Sequence, residues 1–236
     1  MTYQEILEQA RACSGPYCKA CPVCNGMACK NTVPGPGAKG IGTGAIRNYQ
    51  KWQELCVNMD TICENTPVDT TAELFGRTFA LPVFAAPVGA MTLHYGDKYD
   101  DLAYNEILVP ACASAGIAAF TGDGVNPAVM EGAAQALRKS GGCGGPTIKP
   151  WNLEVIRKKL ALVSAAAPFA VAMDIDAAGL PFLKNQTPPA GRKTVAELRE
   201  VAELAGKPFI LKGIMTVGGA KKALEAGAAA IVVSNH

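Results

Sequence analysis

Residues 208–236 read PFILKGIMTVGGAKKALEAGAAAIVVSNH. Two apolar runs, at 208–214 and 230–236, flank a helical pattern at 218–226. Strands that alternate with helical segments in this way are typical of βαβ units, whose strands lie parallel in one sheet. Each apolar run also ends in a polar or glycine-containing segment. This stretch therefore predicts a parallel sheet with polar residues at its strand ends.

The same alternation extends back towards the amino terminus. Apolar runs predict further strands at 81–86, 117–121, 147–151 and 169–176. Helical patterns lie between them at 103–115, 127–139, 153–166 and 194–204. Near-continuous apolar strands fit a sheet that is buried on both faces. The sequence thus predicts an α/β fold with six strands.

Two architectures fit this pattern, a doubly wound open sheet and a (β/α)8 barrel. A doubly wound sheet usually carries a GxGxxG loop directly after a strand. Spacings of this kind occur in PGPGAKGIGTG, at 34–44, but that stretch precedes the first predicted strand. Polar or glycine-containing segments instead follow nearly every strand, as expected for a barrel whose strand ends converge on one mouth. We therefore predict an incomplete (β/α)8 TIM barrel with about six of its eight units.

Polar pairs end three of the predicted strands. Side chains two residues apart on a strand share a face. The pairs are Lys149 with Trp151, Asp174 with Asp176, and Ser234 with His236. Inward-facing polar residues at the carboxyl ends of barrel strands are where catalytic groups are expected. The pattern predicts that these residues line a catalytic cup.

Composition excludes several classes of partner. The formal net charge is +2 and only 18% of residues are charged. This charge is too small to indicate attraction to nucleic acid or to an anionic membrane. The longest apolar run, 161–173, falls short of the roughly 20 residues that a membrane span needs. The amino terminus, MTYQEILEQARAC, lacks the apolar core of a signal peptide. We expect a cytoplasmic protein.

The first 70 residues differ in composition from the rest, because they are rich in Cys, Gly and Pro. We predict a Cys-rich, partly helical cap at 1–70 and the barrel portion at 71–236. Four of the nine cysteines are clustered, at Cys18, Cys21, Cys24 and Cys29. The spacing approaches that of iron–sulfur clusters, and four thiolates also suit tetrahedral zinc. A redox thiol pair and plain reduced cysteines are the alternatives.

The segments LKGIMT, at 211–216, and EAGAAAIVVSNH, at 225–236, resemble two adjoining signatures of the FMN-dependent α-hydroxy-acid oxidases and dehydrogenases, a family that includes glycolate oxidase and lactate oxidase. FGRTFALPVFAAPVGAM, at 75–91, is similar to the first barrel strand of that family. The resemblance covers residues 46–236. It implies an FMN-binding TIM barrel that oxidises a small 2-hydroxy acid to a 2-oxo acid, often as a homotetramer.

Carried over residue by residue, the resemblance assigns the catalytic roles. His236 would be the base that removes a proton from the hydroxyl or α carbon of the substrate, and Asp176 would orient its imidazole. A carboxylate partner fixes the tautomer of an imidazole and stabilises its protonated form, as general-base catalysis requires. Lys212 would stabilise the reduced flavin with a fixed positive charge.

The resemblance also implies cofactor contacts. Backbone at Pro87, Val88 and Gly89 would contact the isoalloxazine ring, Thr121 would hydrogen-bond its pyrimidine side, and Ser234 would lie against the ring or the ribityl chain.

Some positions depart from the family pattern. Lys149 and Trp151 stand where the family usually has Gln and Tyr, and Asp174 stands where it has Thr. Their positions imply that Lys149 and Asp174 bind the cofactor and that Trp151 contacts the substrate. We also expect an ion pair between Lys149 and Asp174. The family also has a substrate-binding Tyr and an Arg that have no clear counterpart in this sequence. The segment AAGLPF, at 177–182, stands where the Arg is expected.

The family continues beyond SNH with segments that bind the substrate carboxylate and the FMN phosphate. The resemblance therefore implies that these 236 residues are a fragment of a longer enzyme and hold FMN weakly by themselves. Two alternatives to the oxidase remain open. One is an FMN-dependent isomerase of the type 2 isopentenyl-diphosphate isomerase kind, and the other is a non-catalytic metal-binding protein whose Cys-rich leader is the working part.

Two further residues receive structural interpretations. His94 is expected in a loop at the barrel mouth, without a catalytic role. Asp123, in FTGDGV, is expected to cap the helix that follows it.

Overall fold

A computed structural model describes residues 1–14, 18–30, 42–187 and 189–236. Contacts divide the chain into two units, one made of Met1–Asp69 with Met91–Asp100, and the other of Thr70–Ala90 with Asp101–His236. Most of the glycine-rich stretch at 34–44 lies outside the described residues. The second unit contains every residue for which a catalytic or flavin-contacting role is predicted.

In its described residues the first unit contains three helices, α1 (Tyr3–Cys13), α2 (Thr43–Gln53) and α3 (Met91–Tyr95). A capping box starts α1, because the Thr2 hydroxyl accepts from the amide of Glu5 and the Glu5 carboxylate accepts from the amide of Thr2. His94 lies within α3, so the prediction of a loop at this position is wrong.

The second unit is built on a six-stranded parallel sheet in sequential order. Its strands are β3 (Phe84–Ala85), β4 (Ala118–Thr121), β5 (Gly144–Ile148), β6 (Val171–Asp174), β7 (Phe209–Lys212) and β8 (Ala230–Val232). A doubly wound sheet reverses its strand order at a switch point, whereas barrel strands follow one another in chain order. The observed order confirms the prediction of a partial (β/α)8 barrel.

Helices connect successive strands of this sheet. They are α4 (Asp101–Ser114), α5 (Pro127–Lys139), α6 (Leu153–Ser164), α7 (Pro181–Lys184), α8 (Val195–Ala205) and α9 (Val217–Glu225), with a 3₁₀ helix at Ile175–Gly179. The predicted bounds of α5 agree with the structure, because Asn126 caps its first turn and Pro127 occupies its first position. Within the described residues, no helix combines the length and apolarity needed to cross a membrane.

Most strands end earlier than predicted. Lys149, Asp176 and His236 all lie beyond the last residue of their strands. After β5 the chain turns at once, so that the amide of Trp151 donates to the carbonyl of Lys149 at 2.7 Å. The rule that alternate residues share a face does not apply outside a strand. The prediction that these residues share faces by strand alternation is therefore wrong, although several of them still meet.

An antiparallel hairpin, β1 (Ala72–Leu74) and β2 (Arg77–Phe79), precedes the sheet and was not predicted. Phe79 is buried, and its ring packs edge-on against Phe84 and Phe169, with centroids 5.0 and 5.4 Å apart. Phe120 joins the same aromatic cluster, 5.9 Å from Phe169. The hairpin is thus held to the sheet by apolar and aromatic contacts.

The main core lies between the sheet and helices α5, α6 and α8. Its fully buried side chains include Met130, Ile156, Met173, Phe209 and Leu211. This core supports β5, β6 and β7 from the helical side, and so fixes the strand ends from which the polar residues emerge.

The loops that follow β3 and β4 touch through their backbones. A Cβ atom added to Gly122 would overlap the carbonyl oxygen of Val88, at a separation that real Cβ contacts do not show. We expect Gly122→Ala to destabilise the fold by about 1–3 kcal/mol, the usual cost of overpacking. Urea unfolding of the variant would measure this.

Gly124→Ala is the matched control, because its added Cβ would meet Val129 at an ordinary contact distance of 3.5 Å. Equal stability of the two alanine variants would contradict the close approach at Gly122.

Candidate functional site

Four charged or titratable side chains meet at the carboxyl ends of three adjacent strands. Asp174 is the last residue of β6, and Asp176 follows it in the 3₁₀ helix. Lys212 is the last residue of β7, and His236 follows β8. Parallel strands in register place these ends side by side, with Asp174 opposite Lys212. The predicted residues Asp176, Lys212 and His236 therefore gather at one place.

Lys212 lies between the two carboxylates. Its ammonium donates to Asp174 Oδ1 at 2.7 Å and to Asp176 Oδ1 at 3.4 Å. The side chains are largely buried, with 12% of Lys212 and 8% of Asp174 exposed. Charges buried to this extent require compensation, and here each carboxylate has a cationic neighbour.

His236 contacts the same carboxylates. Its Nδ1 lies 2.9 Å from Asp176 Oδ2 and 3.5 Å from Asp174 Oδ1. An ionised carboxylate can only accept, so Nδ1 is the donor to Asp176. Neutral imidazole with a proton on Nδ1 has its basic lone pair on Nε2. The contact with Asp176 thus fixes the tautomer that a general base needs.

Lys149 completes a group that we call the charge cluster: Lys149, Asp174, Asp176, Lys212 and His236. The Lys149 ammonium lies 3.5 Å from Asp174 Oδ2, which confirms the predicted ion pair. Two carboxylates and two ammonium groups sum to no net charge while the imidazole is neutral. Protonation of His236 would therefore give the cluster a net positive charge.

The two central groups have shifted pKa values. Burial opposes ionisation of Asp174, but its hydrogen bonds with His236 and Lys212 and the charge of Lys149 outweigh burial and hold its pKa well below the ordinary range. Hydrogen bonds to Asp174 and Asp176 raise the pKa of His236, against burial and the charge of Lys212. The carboxylates thus stabilise the protonated imidazole.

Stability should depend on pH through His236. A group whose pKa is higher in the folded protein contributes stability that is complete below its unfolded pKa and is lost as pH rises through the folded value. We therefore expect urea midpoints to fall as pH rises from the ordinary histidine pKa of about 6.5 towards alkaline values. His236→Gln should remove this part of the slope, and an unchanged slope would contradict the raised pKa.

The other predicted contact residues also follow strands. Pro87, Val88 and Gly89 are half-buried after β3. Thr121, at the end of β4, is buried, and its hydroxyl has no hydrogen-bond partner within the described structure. The Ser234 hydroxyl accepts from the amide of His236 at 3.0 Å, which orders the segment after β8.

A second buried network contains Asp123. Both oxygens of this carboxylate accept hydrogen bonds, Oδ1 from Lys159 Nζ at 2.6 Å and Oδ2 from Trp151 Nε1 at 2.6 Å. The N-cap of α5 is Asn126, so the prediction that Asp123 caps this helix is wrong.

Trp151 is only 2% exposed and belongs to the core, with its indole directed at the Asp123 carboxylate. A side chain buried in this way presents almost no surface to a substrate, so its placement does not support the predicted contact between Trp151 and substrate.

Lys159 was missed by the sequence reasoning, although a signal for it is present. Residues 156, 159, 160 and 163 of α6 form one face at helical spacing, and the other three are Ile, Leu and Val. A lysine on an apolar face needs a buried carboxylate as a partner. That pattern could have identified the pair that Lys159 forms with Asp123.

The cysteines do not form a ligand set within the described residues. All nine are free thiols. Burial and the neighbouring Cys24, Cys18 and Cys21 raise the pKa of Cys29, so the four lie within electrostatic range of one another. However, in the described parts of the chain the one group of three or more ligand-type atoms within 4.8 Å is that of Asp174, Asp176 and His236. Lys212 already lies among those three, and the metal assignment to the cysteines stays a prediction.

Known proteins share sequence and fold with this chain. A family model described as FMN-dependent dehydrogenase matches residues 36–184 and 170–236. A 50-residue segment is 52% identical to pre-mycofactocin synthase of Mycobacterium tuberculosis, covering 21% of this chain and 12% of that protein.

Two solved structures have the same fold. A lactate oxidase of Pediococcus acidilactici is 18% identical with a TM-score of 0.69, and the match covers 99% of this chain and 65% of the oxidase. A mandelate oxidase variant with (S)-mandelic acid is 23% identical with a TM-score of 0.66, covering 85% of this chain and 61% of that structure. The chain thus spans slightly under two thirds of the length of either oxidase.

Proposed function

Because the chain belongs to the FMN-dependent dehydrogenase family, we propose that it forms the flavin-facing part of an enzyme that oxidises a small 2-hydroxy acid to a 2-oxo acid. The charge cluster is the observation that carries this proposal. It supplies a base, His236, held by Asp176 beside a buried lysine, at the end of a barrel where active sites lie. The named substrates of the two oxidases fit the same reaction class.

The residues at the strand ends fit FMN. The hydroxyl of Thr121 is buried without a protein partner, as expected for a group that bonds to a ligand. The backbone after β3 approaches that of Gly122 so closely that no side chain could intervene, which fixes Val88 and Gly89 beside the end of β4. Thr121, Val88 and Gly89 would hold the ring system, and Lys212 would supply positive charge beside it. Bound FMN would accept the two electrons that leave the α carbon of the substrate.

His236 would accept the proton that leaves the substrate. Its Nε2 takes a proton from the hydroxyl or the α carbon of the substrate, while Nδ1 remains hydrogen-bonded to Asp176. The imidazolium that results is stabilised by Asp174 and Asp176. Lys212 would hold both carboxylates beside the imidazole through its hydrogen bonds to Asp174 and Asp176.

Anaerobic flavin bleaching tests the proposal. The protein loaded with FMN is mixed with lactate, glycolate or mandelate, and the visible absorbance of oxidised flavin is followed. We expect at least one acid to remove that absorbance and to release the matching 2-oxo acid in equal amount. Incubation with the 2-oxo acid alone is the control.

The outcome separates the proposed oxidation from both alternative functions. An isomerase that uses flavin without net oxidation would leave the absorbance unchanged with every hydroxy acid, as would a protein whose working part is the cysteine-rich leader. A flavin that stays oxidised with all three acids contradicts the proposed reaction.

A further inference from the structure

Asp123 is a buried carboxylate outside the charge cluster that nonetheless bonds to a segment of it. None of its side chain is exposed, and its cationic partner Lys159 is 9% exposed. Asp123 Oδ2 accepts from the backbone amide of Lys149 at 2.9 Å. A carboxylate that is so completely buried and that accepts from several donors fixes all of them in space.

The same residue lies where three strand ends meet. Asp123 follows β4, and its own backbone lies about 3 Å from where a Cβ of Gly89, after β3, would be. Its side chain holds the turn after β5 through the amide of Lys149 and the indole of Trp151. Lys159, on α6, ties the arrangement to the helical layer at 2.6 Å. Movement of the Lys149 turn would therefore break buried, charge-assisted hydrogen bonds.

We propose that Asp123 is a positioning residue, which locks the ends of β4 and β5 together and thereby holds the Lys149 ammonium against Asp174 in the charge cluster. The inference rests on the proposed function, since it assigns Lys149 a role in the charge cluster. With Lys149 in place, the cluster has no net charge around neutral His236. Without it, one negative charge is uncompensated and the imidazole binds a proton more tightly.

The groups that face His236 are few in the described structure. Asp174 lies on β6, Asp176 on the 3₁₀ helix, and Lys212 on β7. Lys149, after β5, acts through Asp174 at 3.5 Å. A displacement of Lys149 alone should therefore change the proton affinity of His236 in a known direction, upwards.

Two charge-balanced double variants test the proposal. Asp123→Asn with Lys159→Met keeps an acceptor oxygen for the Lys149 amide. Asp123→Leu with Lys159→Met removes the acceptor while keeping similar volume and the same net charge. Both variants lose the buried ion pair equally, so a general loss of stability affects both. They differ in whether the Lys149 turn is held.

The measurement is a proton NMR titration of the full chain in the presence of FMN. The chain has only two histidines, His94 and His236, so His94→Gln assigns the signals. We expect the asparagine variant to titrate like the parent, and the leucine variant to bind a proton at His236 roughly three- to tenfold more tightly. Lys149→Met should produce the same change, and adding it to the leucine variant should produce no further change.

Equal titration of His236 in the two double variants would overturn the proposal, even if both are less stable. An effect in the leucine variant that adds fully to that of Lys149→Met would also overturn it. Glu131→Gln, an exposed acid-to-amide change on α5, is the control for a remote charge. The titration needs no substrate, so a chain that fails to bleach flavin while showing these shifts would reject the proposed reaction and leave the role of Asp123 standing.

Discussion

Replacement of His236 by glutamine is expected to slow flavin reduction by roughly 10²–10⁴-fold, the usual contribution of a general base. Glutamine can still donate an amide hydrogen to Asp176, which lies 2.9 Å from the imidazole Nδ1. The variant lacks the basic nitrogen that takes the proton. Stopped-flow measurement of anaerobic flavin reduction would determine the loss.

His94→Gln is the matched control, because His94 lies on α3 in the other unit and has no assigned part in the reaction. We expect it to reduce flavin at the parent rate. A His236→Gln variant that retains most of the parent rate at every pH would remove His236 from the mechanism.

The second large effect is expected for Lys212→Met. Methionine has a similar length but leaves Asp174 and Asp176 without the ammonium that lies between them. Removal of one partner from a buried ion pair costs about 3 kcal/mol. Loss of a fixed charge beside the reacting groups slows the chemical step by roughly 10²–10³-fold. Urea unfolding and flavin reduction would measure the two effects separately.

The pH profile gives an independent test of the same variant. The charge of Lys212 lowers the pKa of His236, so its removal should move the acid limb of the rate profile to higher pH. Lys222→Met, at an exposed position on α9, controls for the loss of one lysine. An acid limb that stays in place would mean that Lys212 and His236 are not coupled.

The fold was predictable because burial imposes a regular pattern on the sequence. Helix α5 was predicted with its observed bounds because Asn126 and Pro127 mark its start. Strands β6 and β8 were predicted too long, since hydropathy does not show where a chain leaves a sheet. The hairpin β1–β2 was missed, because strands of three residues are too short for any periodic pattern.

The candidate site was predictable only in part. Asp176, Lys212 and His236 were predicted to gather and do meet, because adjacent strands in register place their ends side by side. The Asp123 network depends on side chains separated by up to 36 residues, and no local pattern specifies which buried cation meets which carboxylate. Trp151 illustrates the same limit, since its position in the sequence does not reveal that its turn directs the indole into the core.

The balance of charges in the cluster has a consequence for how substrate arrives. Opposite charges a few ångströms apart cancel at long range, so the resting site attracts an incoming anion only weakly. Capture of a carboxylate substrate should therefore depend little on ionic strength. Once His236 has taken its proton, the same site becomes cationic, and its attraction for a carboxylate is strongest after the proton has moved.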